Sequence, residues 1–318
     1  MKRLIAILLL GLFLALPGAA SAAVFNNARD YIPAPPDTVV IMSYFVHQSA
    51  QNNYANGHRI SNDVGLTVNE GLFRPFYFAQ LGPFIIDPNV IIPFGNISIN
   101  SGSSANGNAF NTSTSGVGDP LWICTFWLWH KDKTNTYAGI TPIMIAPIGT
   151  YNANRAVNFG GNRWSWNIQG FFAKGWEIIP GHKLYAEAEV MGQFYTKNTD
   201  FLNPGLVTLR RHGSLTQAPE VDCEGHLSYD ITKTVFAAFD YYGVFGARNS
   251  FDNVSLRNSQ ATSTIGGTVA YSFAPGFQLM LQYKGDVSVN SGTQNNTILA
   301  RFLWATDGKS LRRAVGAQ

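Results

Sequence analysis

The stretch that decides the fold is residues 184–195, Leu-Tyr-Ala-Glu-Ala-Glu-Val-Met-Gly-Gln-Phe-Tyr, in which two kinds of side chain alternate. The even positions are small or apolar, whereas the odd positions include Glu187, Glu189 and Gln193. Successive side chains of a strand point to opposite faces, so this period of two predicts a strand with one apolar and one polar face. Such a strand fits any half-buried sheet, and the rest of the chain decides which kind of sheet it is.

The first residues have the layout of a cleavable signal peptide. Lys2 and Arg3 precede an uncharged run over residues 4–16, which is followed by Ala20-Ser21-Ala22. The run is shorter than the ~20 residues that a spanning helix needs, which argues against a membrane anchor. We therefore expect cleavage after Ala22, with residues 1–22 as the signal peptide of an exported protein.

The composition favours a surface that does not face only water. Charged residues make up 13% of the chain and aromatic residues another 13%, whereas soluble domains typically contain ~25% charged residues. The formal net charge of +3 comes from basic residues near the two ends of the chain, so no nucleic-acid partner is indicated. Cys124 and Cys223 are candidates for a disulfide in an exported protein, but they lie in strands far apart in order, which favours free thiols.

Twelve segments of the chain show strand-like character. They are 38–48, 64–78, 84–98, 119–130, 135–149, 163–175, 181–197, 213–229, 234–247, 262–273, 276–288 and 294–304. Tight connections alternate with long polar ones along this series. Short turns at one end, longer loops at the other and an even number of strands are typical of transmembrane barrels. The predicted fold class is therefore all-β: an antiparallel up-and-down transmembrane β-barrel of about 12 strands over residues 38–304, with both termini on the periplasmic side.

Two segments flank this barrel. Residues 23–37 form a Pro-rich periplasmic N-terminal segment, and residues 305–318 are expected to be a flexible C-terminal tail. Pro33 to Pro36 favour extended polyproline geometry. The segment either enters the mouth of the barrel or is a tether from the cleavage site to the first strand, and we favour the tether.

The charged faces of the strands are expected to look inward, because a lipid-facing Arg or Lys near the bilayer midplane would cost roughly 2–4 kcal/mol. The candidates for the lumen or pore lining are Glu187, Glu189, Gln193, Tyr195, Glu220, Asp222, Glu224, His226, Asp240, Tyr242, Lys284 and Arg301. If their strands are neighbours, the acidic members share one wall. That wall would be a cation-favouring, hydrogen-bonding pore lining, or part of a salt network with Arg163, Lys284 and Arg301 that fills the lumen.

Three tryptophans lie in residues 121–130, where both faces of the predicted strand are apolar. Trp122, Trp127 and Trp129 fit an interfacial aromatic girdle, although a hydrophobic core would use them as well.

No catalytic residue is predicted. Glu224, His226 and Ser228 share one face of a strand, but same-face neighbours lie ~6.6 Å apart, too far for a hydrogen bond between a serine and a histidine. The Gly-Val-Gly at residues 116–118 lacks the lysine of a P-loop and the third glycine of a dinucleotide site. No cofactor and no metal site are indicated.

Three motifs at strand entries carry a resemblance to a known family. They are Asp30-Tyr31-Ile32-Pro33-Ala34-Pro35-Pro36-Asp37-Thr38, Gly116-Val117-Gly118-Asp119-Pro120 and Gly160-Gly161-Asn162-Arg163-Trp164. In this order the chain resembles the outer-membrane transporters named for the meta-cleavage pathway of phenol degradation, the phenol MetA-pathway family. Asp37 stands where that family commonly has glycine.

The resemblance implies an outer-membrane channel or transporter for small molecules, with hydrophobic or aromatic compounds as the leading class. Its partners would be that solute, outer-membrane lipid and the barrel-assembly machinery. About eight strands enclose a filled interior and sixteen or more a wide channel, so twelve predict a narrow bore. Tyr185, Tyr195 and Tyr242 could offer flat faces to an aromatic solute. The alternatives are an outer-membrane barrel enzyme, either lipase or protease, and a filled structural or adhesive barrel.

Overall fold

The structure is a computed structural model that describes residues 26–101, 110–155, 157–203 and 211–314. The expected signal peptide lies outside the described residues, as does the centre of the Ser/Gly/Asn-rich connection near residue 105. The strands, in chain order, are β1 (Thr38–Ala55), β2 (His58–Ser61), β3 (Leu66–Leu81), β4 (Phe84–Ser101), β5 (Phe110–Val117), β6 (Leu121–Lys131), β7 (Thr136–Ile145), β8 (Ser165–Ile179), β9 (His182–Tyr195), β10 (Asn198–Asn203), β11 (Arg211–Gln217), β12 (Glu220–Asp230), β13 (Val235–Gly246), β14 (Asn249–Phe251), β15 (Val254–Ser255), β16 (Gln260–Ala274), β17 (Phe277–Val289) and β18 (Gly292–Asp307).

Twelve of these strands form a closed antiparallel barrel. Their order around the barrel is β1-β3-β4-β6-β7-β8-β9-β12-β13-β16-β17-β18, and β18 pairs with β1 to close it. The closing ladder runs from Thr38 opposite Asp307 to Tyr54 opposite Gly292. Closure leaves no unpaired strand edge, which is what a sheet needs in order to cross a lipid bilayer. The predicted twelve-stranded up-and-down barrel is confirmed. Within the described residues, no helix is long and apolar enough to cross a membrane.

The alternation read from residues 184–195 is present in β9. Glu187 and Glu189 are 4% and 2% exposed, whereas their neighbours Val190 and Phe194 are 57% and 48% exposed. The polar side chains of β9 therefore face the lumen, and the apolar ones face outward, toward lipid.

The connections divide the barrel into two ends. At the turn end, where β1 begins and β18 finishes, the links are short, such as Gly82-Pro83 and Pro180-Gly181. The loop end carries the longer links. There β10, β11, β14 and β15 form a separate four-stranded sheet; β10, β14 and β15 lie in segments predicted to be polar loops, whereas most of β11 lies in the predicted strand 213–229. By the usual layout of such barrels, the turn end is periplasmic and the loop end is extracellular.

One predicted strand is two strands in the structure. Residues 213–229 were expected to be continuous, but residues 211–217 belong to the loop-end sheet and the barrel strand β12 begins at Glu220. Pro219 separates them because its ring nitrogen has no hydrogen to donate to a ladder. Its carbonyl accepts from the Ala247 amide at 3.0 Å, which fixes the bend.

The C-terminal tail begins later than predicted. Residues 305–307 are the last residues of β18 and pair with β1, and Gly308–Ala314 form a short helix, α1. Asp307 accepts hydrogen bonds from the amide and the hydroxyl of Ser310, so it caps the first turn of α1. The expectation of a flexible tail is wrong for residues 305–314.

The tryptophans of β6 divide between the two faces. Trp122 and Trp129 are 50% and 49% exposed on the outer face, but Trp127 is 1% exposed inside the barrel. Trp127 and Trp129 are two residues apart, yet they point to opposite faces because the pairing with β7 shifts register between them. The girdle interpretation is therefore wrong for Trp127. Both cysteines are free thiols.

Candidate functional site

The predicted acidic residues converge on one wall of the lumen. Because β9, β12 and β13 are neighbours, Glu189, Glu224 and Tyr242 lie directly opposite one another, as do Glu187, His226 and Asp240 in the next row. Each of the acidic and polar members is at most 4% exposed. We call this set the polar wall: Glu187, Glu189, Gln193, Glu220, Asp222, Glu224, His226 and Asp240.

His226 lies at the centre of a hydrogen-bond network in this wall. Its Nδ1 is 2.7 Å from Asp240 Oδ1, and its Nε2 is 3.3 Å from Glu224 Oε2. An imidazolium, which has a proton on both nitrogens, satisfies this arrangement. Asp240 also accepts from the Thr268 hydroxyl at 2.5 Å and the Gln282 amide at 3.0 Å. The histidine is therefore held between two acceptors.

The serine next to this histidine has a different partner. Ser228 Oγ accepts from Arg29 Nε at 3.1 Å. Since both nitrogens of His226 face carboxylates, the described contacts do not pair Ser228 with a general base.

The remaining predicted candidates near this wall lie along its edges. Tyr195 donates to Gln193 Oε1 at 3.3 Å and lies beneath Arg163, whose Cζ is 4.3 Å from the tyrosine ring centre. Gln193 also donates to Glu220 at 3.1 Å and to Asp222. Lys284 Nζ lies 4.4 Å from the centre of the Tyr242 ring. The side chains of Tyr195, Tyr242 and Lys284 all point into the barrel, as the alternation along their strands predicted.

Arg301 belongs to a different group. It is on β18 and donates to Asp30 Oδ1 at 2.7 Å and to Gln278 Oε1 at 2.9 Å. The salt-network hypothesis joined Arg301 to the acidic wall, but its ionic partner is a residue that precedes the first strand.

The N-terminal residues 26–32 lie inside the barrel, and we call them the luminal segment. The amide of Asn26 donates to Glu224 Oε1 at 3.0 Å, and the amide of Arg29 donates to Glu187 Oε2 at 2.8 Å. The Arg29 guanidinium pairs with Asp230 at 2.6 Å. The tether expectation is therefore wrong for these residues, because their donors match the acceptors of the polar wall.

Tyr31 is the aromatic residue of the luminal segment, and it is buried in the lumen. Its ring stacks on Phe171 with 4.9 Å between ring centroids, and its hydroxyl donates to Glu224 Oε2 at 3.0 Å. Trp127 Nε1 donates to the Tyr31 carbonyl at 2.9 Å. The segment thus crosses the lumen between the polar wall and the aromatic side chains of β6 and β8.

Some buried polar groups of the lumen have no hydrogen-bond partner among the described residues. Both carboxylate oxygens of Glu189 are of this kind, as are both of Glu70 and both side-chain polar atoms of Asn167. Gln169 lies near Glu189, but its amide does not form a hydrogen bond of ordinary geometry with that carboxylate. Buried polar groups in proteins are normally partnered, so these atoms are candidates for solute contacts.

A cavity of about 290 Å³ lies at the turn end, beside the luminal segment. Apolar side chains line much of it, including Ile32, Met42, Phe76, Phe78 and Phe236, and charged groups such as Arg74, Lys233 and Asp230 complete it. An apolar cavity of about 150 Å³ can hold a benzene ring. The space is therefore sufficient for a solute with one aromatic ring.

The second and third motifs of the sequence meet at the loop end. Asp119 accepts from the Gly149 amide at 2.8 Å and from the Gly161 amide at 2.7 Å. Burial raises the pKa of the Asp119 carboxyl, although the two amides and Arg163 act in the opposite direction. A side chain on Gly149 would place its Cβ 2.5 Å from the Gly118 carbonyl carbon, which explains the glycine. The motif residues therefore hold the loops together above the polar wall.

Several residues of the site were not predicted from the sequence. The residues of the luminal segment that bond to the barrel, Asn26, Arg29, Asp30 and Tyr31, were missed, although Asp30 and Tyr31 open the first motif. Glu70 was also missed, and its signal was a single carboxylate among the inward apolar residues of β3. Within the ranges that the structure describes, no three His, Cys, Asp or Glu side chains are arranged to hold a metal ion.

Comparisons with solved structures show the same architecture. The chain is similar to an outer membrane channel from Pseudomonas putida F1, with 25% identity and a TM-score of 0.79 over 89% of this chain and all of that one. The transport unit of the autotransporter AIDA-I from Escherichia coli is 7% identical, with a TM-score of 0.56 over 90% of this chain and 94% of that one. The β domain of the Bordetella autotransporter BrkA is 9% identical, with a TM-score of 0.50 over 86% of this chain and all of that one. These last two are similar in fold alone.

The sequence comparisons are consistent with the motifs. A search of curated proteins finds no match. A family model matches residues 49–302, which is most of the chain. The protein is an outer-membrane β-barrel, and it belongs to the family described as "Putative MetA-pathway of phenol degradation".

Proposed function

We propose that this barrel is a channel that carries small hydrophobic or aromatic molecules across the outer membrane, and that the luminal segment closes it. The observation that carries the proposal is that the lumen of this closed twelve-stranded barrel is polar on one side and apolar on the other. The polar wall lies on β9, β12 and β13, whereas the inner faces of β1, β3, β4, β6 and β7 are mainly apolar. A solute with a flat apolar ring and a polar substituent would match both sides.

The apolar side of the lumen favours a ring over a sugar. Val40, Met42, Phe76, Phe78 and Ile123 are buried on inward faces and belong to one hydrophobic cluster. Burying an aromatic ring against such side chains is favourable, because it removes apolar surface from water. A sugar on the same path would lose hydrogen bonds to water, which is unfavourable. The family description, with its reference to phenol degradation, supports the same class of solute.

The luminal segment has to move for a solute to pass. It is held by Glu187 and Glu224 of the polar wall, by Arg301 on β18, and by Asp230 at the turn end. Its described backbone hydrogen bonds to the barrel go to side chains rather than into a strand ladder. Contacts of this kind can be exchanged for contacts with a solute or with water without opening the sheet.

A filled structural barrel is the second candidate, because the same segment occupies the lumen. Planar-bilayer recordings of the purified full chain separate the two: a channel conducts when the segment is loosened, and a filled barrel stays silent in every variant. Assays for lipid and peptide hydrolysis on the same preparation test the enzyme alternative. Silence in the bilayer in all variants would contradict the proposal, and hydrolysis combined with that silence would favour an enzyme.

A further inference from the structure

The side chain of Tyr31 is a phenol held by residues of the barrel. It is 3% exposed. Its ring stacks on Phe171 at an angle of 23°, and its hydroxyl forms a 3.0 Å hydrogen bond with the carboxylate of Glu224. Hydrogen bonds to ionised acceptors are among the stronger ones in proteins. The lumen therefore already contains the contacts that a phenolic molecule would need.

These contacts come from one row of residues on four neighbouring strands. Phe171, Glu189, Glu224 and Tyr242 lie directly opposite one another in turn, on β8, β9, β12 and β13. The Trp127 ring meets the Phe171 ring edge to face, with 5.9 Å between centroids. We call Trp127, Phe171, Glu189, Glu224 and Tyr242 the phenol slot. Its aromatic rings provide a stacking surface, and its two carboxyl groups lie beside that surface.

Glu189 provides an independent indication that the slot can hold more than Tyr31. It lies between Phe171 and Glu224, it is 2% exposed, and neither of its oxygens has a hydrogen-bond partner among the described residues. The hydroxyl of Tyr31 bonds to the neighbouring Glu224 instead. A ring with two adjacent hydroxyls could donate to Glu224 and Glu189 together, which a tyrosine side chain cannot do.

We infer that the phenol slot is a binding site for phenols, that it prefers rings with two adjacent hydroxyl groups, and that Tyr31 is its built-in competitor. This inference rests on the proposed channel function and names the class of solute and its site. Because Tyr31 is tethered, its effective concentration at the slot is on the order of millimolar, so a free phenol has to displace it. Solute binding and release of the luminal segment are then the same event.

The test is calorimetric titration of the full chain in detergent with p-cresol, which is the tyrosine side chain without its backbone. Tyr31→Phe keeps the ring but loses the bond to Glu224, so p-cresol should bind about tenfold more tightly than to the wild type. Tyr31→Ala removes the competitor and should bind more tightly again. Tyr31→Ala combined with Glu224→Gln controls for partitioning into the micelle and should lose most of the gain.

Two further probes test the chemistry of the slot. In Tyr31→Ala, catechol should bind more tightly than p-cresol, toluene should bind least, and the advantage of catechol should disappear when Glu189→Gln is added. Equal affinity for toluene and p-cresol, or equal affinity of p-cresol for wild type and Tyr31→Phe, would overturn the inference. The second comparison remains decisive if Tyr31→Ala fails to fold, because Tyr31→Phe keeps the stacked ring.

These experiments distinguish an error in the phenol slot from an error in the proposed channel function. If aromatic solutes cross the membrane through the protein but p-cresol binds all variants alike, the slot is wrong and the channel stands. If p-cresol binds in the expected order but no variant conducts or accelerates uptake, the slot stands and the channel is wrong.

Discussion

Arg301 of the last strand and Asp30 of the luminal segment form an ion pair inside the barrel, with 2.7 Å between Nη1 and Oδ1. Their side chains are 3% and 9% exposed, so the pair is shielded from water. It joins the strand that closes the barrel to the segment that fills it. The stability of the closed lumen therefore depends on this contact.

Asp30→Asn should open the channel more often. Loss of one partner of a buried ion pair typically costs about 3–5 kcal/mol, because the remaining charge is left without compensation. In Asp30→Asn the closed state is destabilised relative to the open state, because water can hydrate Arg301 once the luminal segment has left the lumen. Planar-bilayer recordings should show a larger conducting fraction than the wild type. Asp200→Asn is the matched control, because the pair of Asp200 with His212 is exposed at the loop end and should not affect conduction. An unchanged conducting fraction in Asp30→Asn would show that the pair does not hold the segment.

Glu187 and Glu189 should have separable roles although they are two residues apart. Glu187 accepts from the Arg29 amide, whereas Glu189 has no partner among the described residues. Glu187→Gln should therefore both weaken cation preference and raise the conducting fraction, because the bond to Arg29 loses its charge. Glu189→Gln should weaken cation preference only, measured as a shift in reversal potential across a salt gradient. Identical effects of the two substitutions would contradict this division.

The outward face of β9 should tolerate no charge at the level of the membrane. Val190 is 57% exposed near the middle of β9, and Val190→Arg should lower the free energy of unfolding in lipid by about 2–4 kcal/mol. Val254 is 68% exposed in the loop-end sheet, so Val254→Arg is the control with little expected change. Urea unfolding in vesicles measures both variants. Equal stability of the two would place Val190 outside the bilayer.

Asp119 should be required for the order of the loop end. Asp119→Ala leaves the amides of Gly149 and Gly161 without their acceptor, at a cost of up to about 1–3 kcal/mol for each. Asp119→Asn keeps one acceptor oxygen and should have an intermediate effect. Limited proteolysis should cut the connection between β7 and β8 slowest in the wild type, faster in Asp119→Asn and fastest in Asp119→Ala. Equal cutting rates would mean that other contacts hold these loops.

The sequence predicts the parts of this structure that depend on a local period. The parity of β9 assigns Glu187 and Glu189 to the lumen, and the order of the strands brings them to Glu224 and His226. Five short strands inside the long connections, β2, β5, β10, β14 and β15, were missed because short polar segments have no clear apolar alternation. The break between β11 and β12 at Pro219 was missed because the strand-like pattern continues on both sides of the proline.

The position of the luminal segment inside the barrel could not be predicted from the local sequence, for a different reason. Pro33 to Pro36 specify an extended chain, but an extended chain fits both a tether and an insertion into the lumen. The outcome depends on acceptors that are distant in sequence: Glu224 is 198 residues from Asn26, and Arg301 is 271 residues from Asp30. Only the assembled barrel places these partners around one segment.

The most direct test of the central claim is uptake of labelled p-cresol and of a labelled small sugar by cells with a tight outer membrane that express this protein. A channel for aromatic solutes should accelerate p-cresol uptake several-fold over cells without the protein and leave sugar uptake unchanged. Asp30→Asn should accelerate p-cresol uptake further. Equal acceleration of both solutes would make the protein a general pore, and unchanged uptake of p-cresol in wild type and variant would contradict the account.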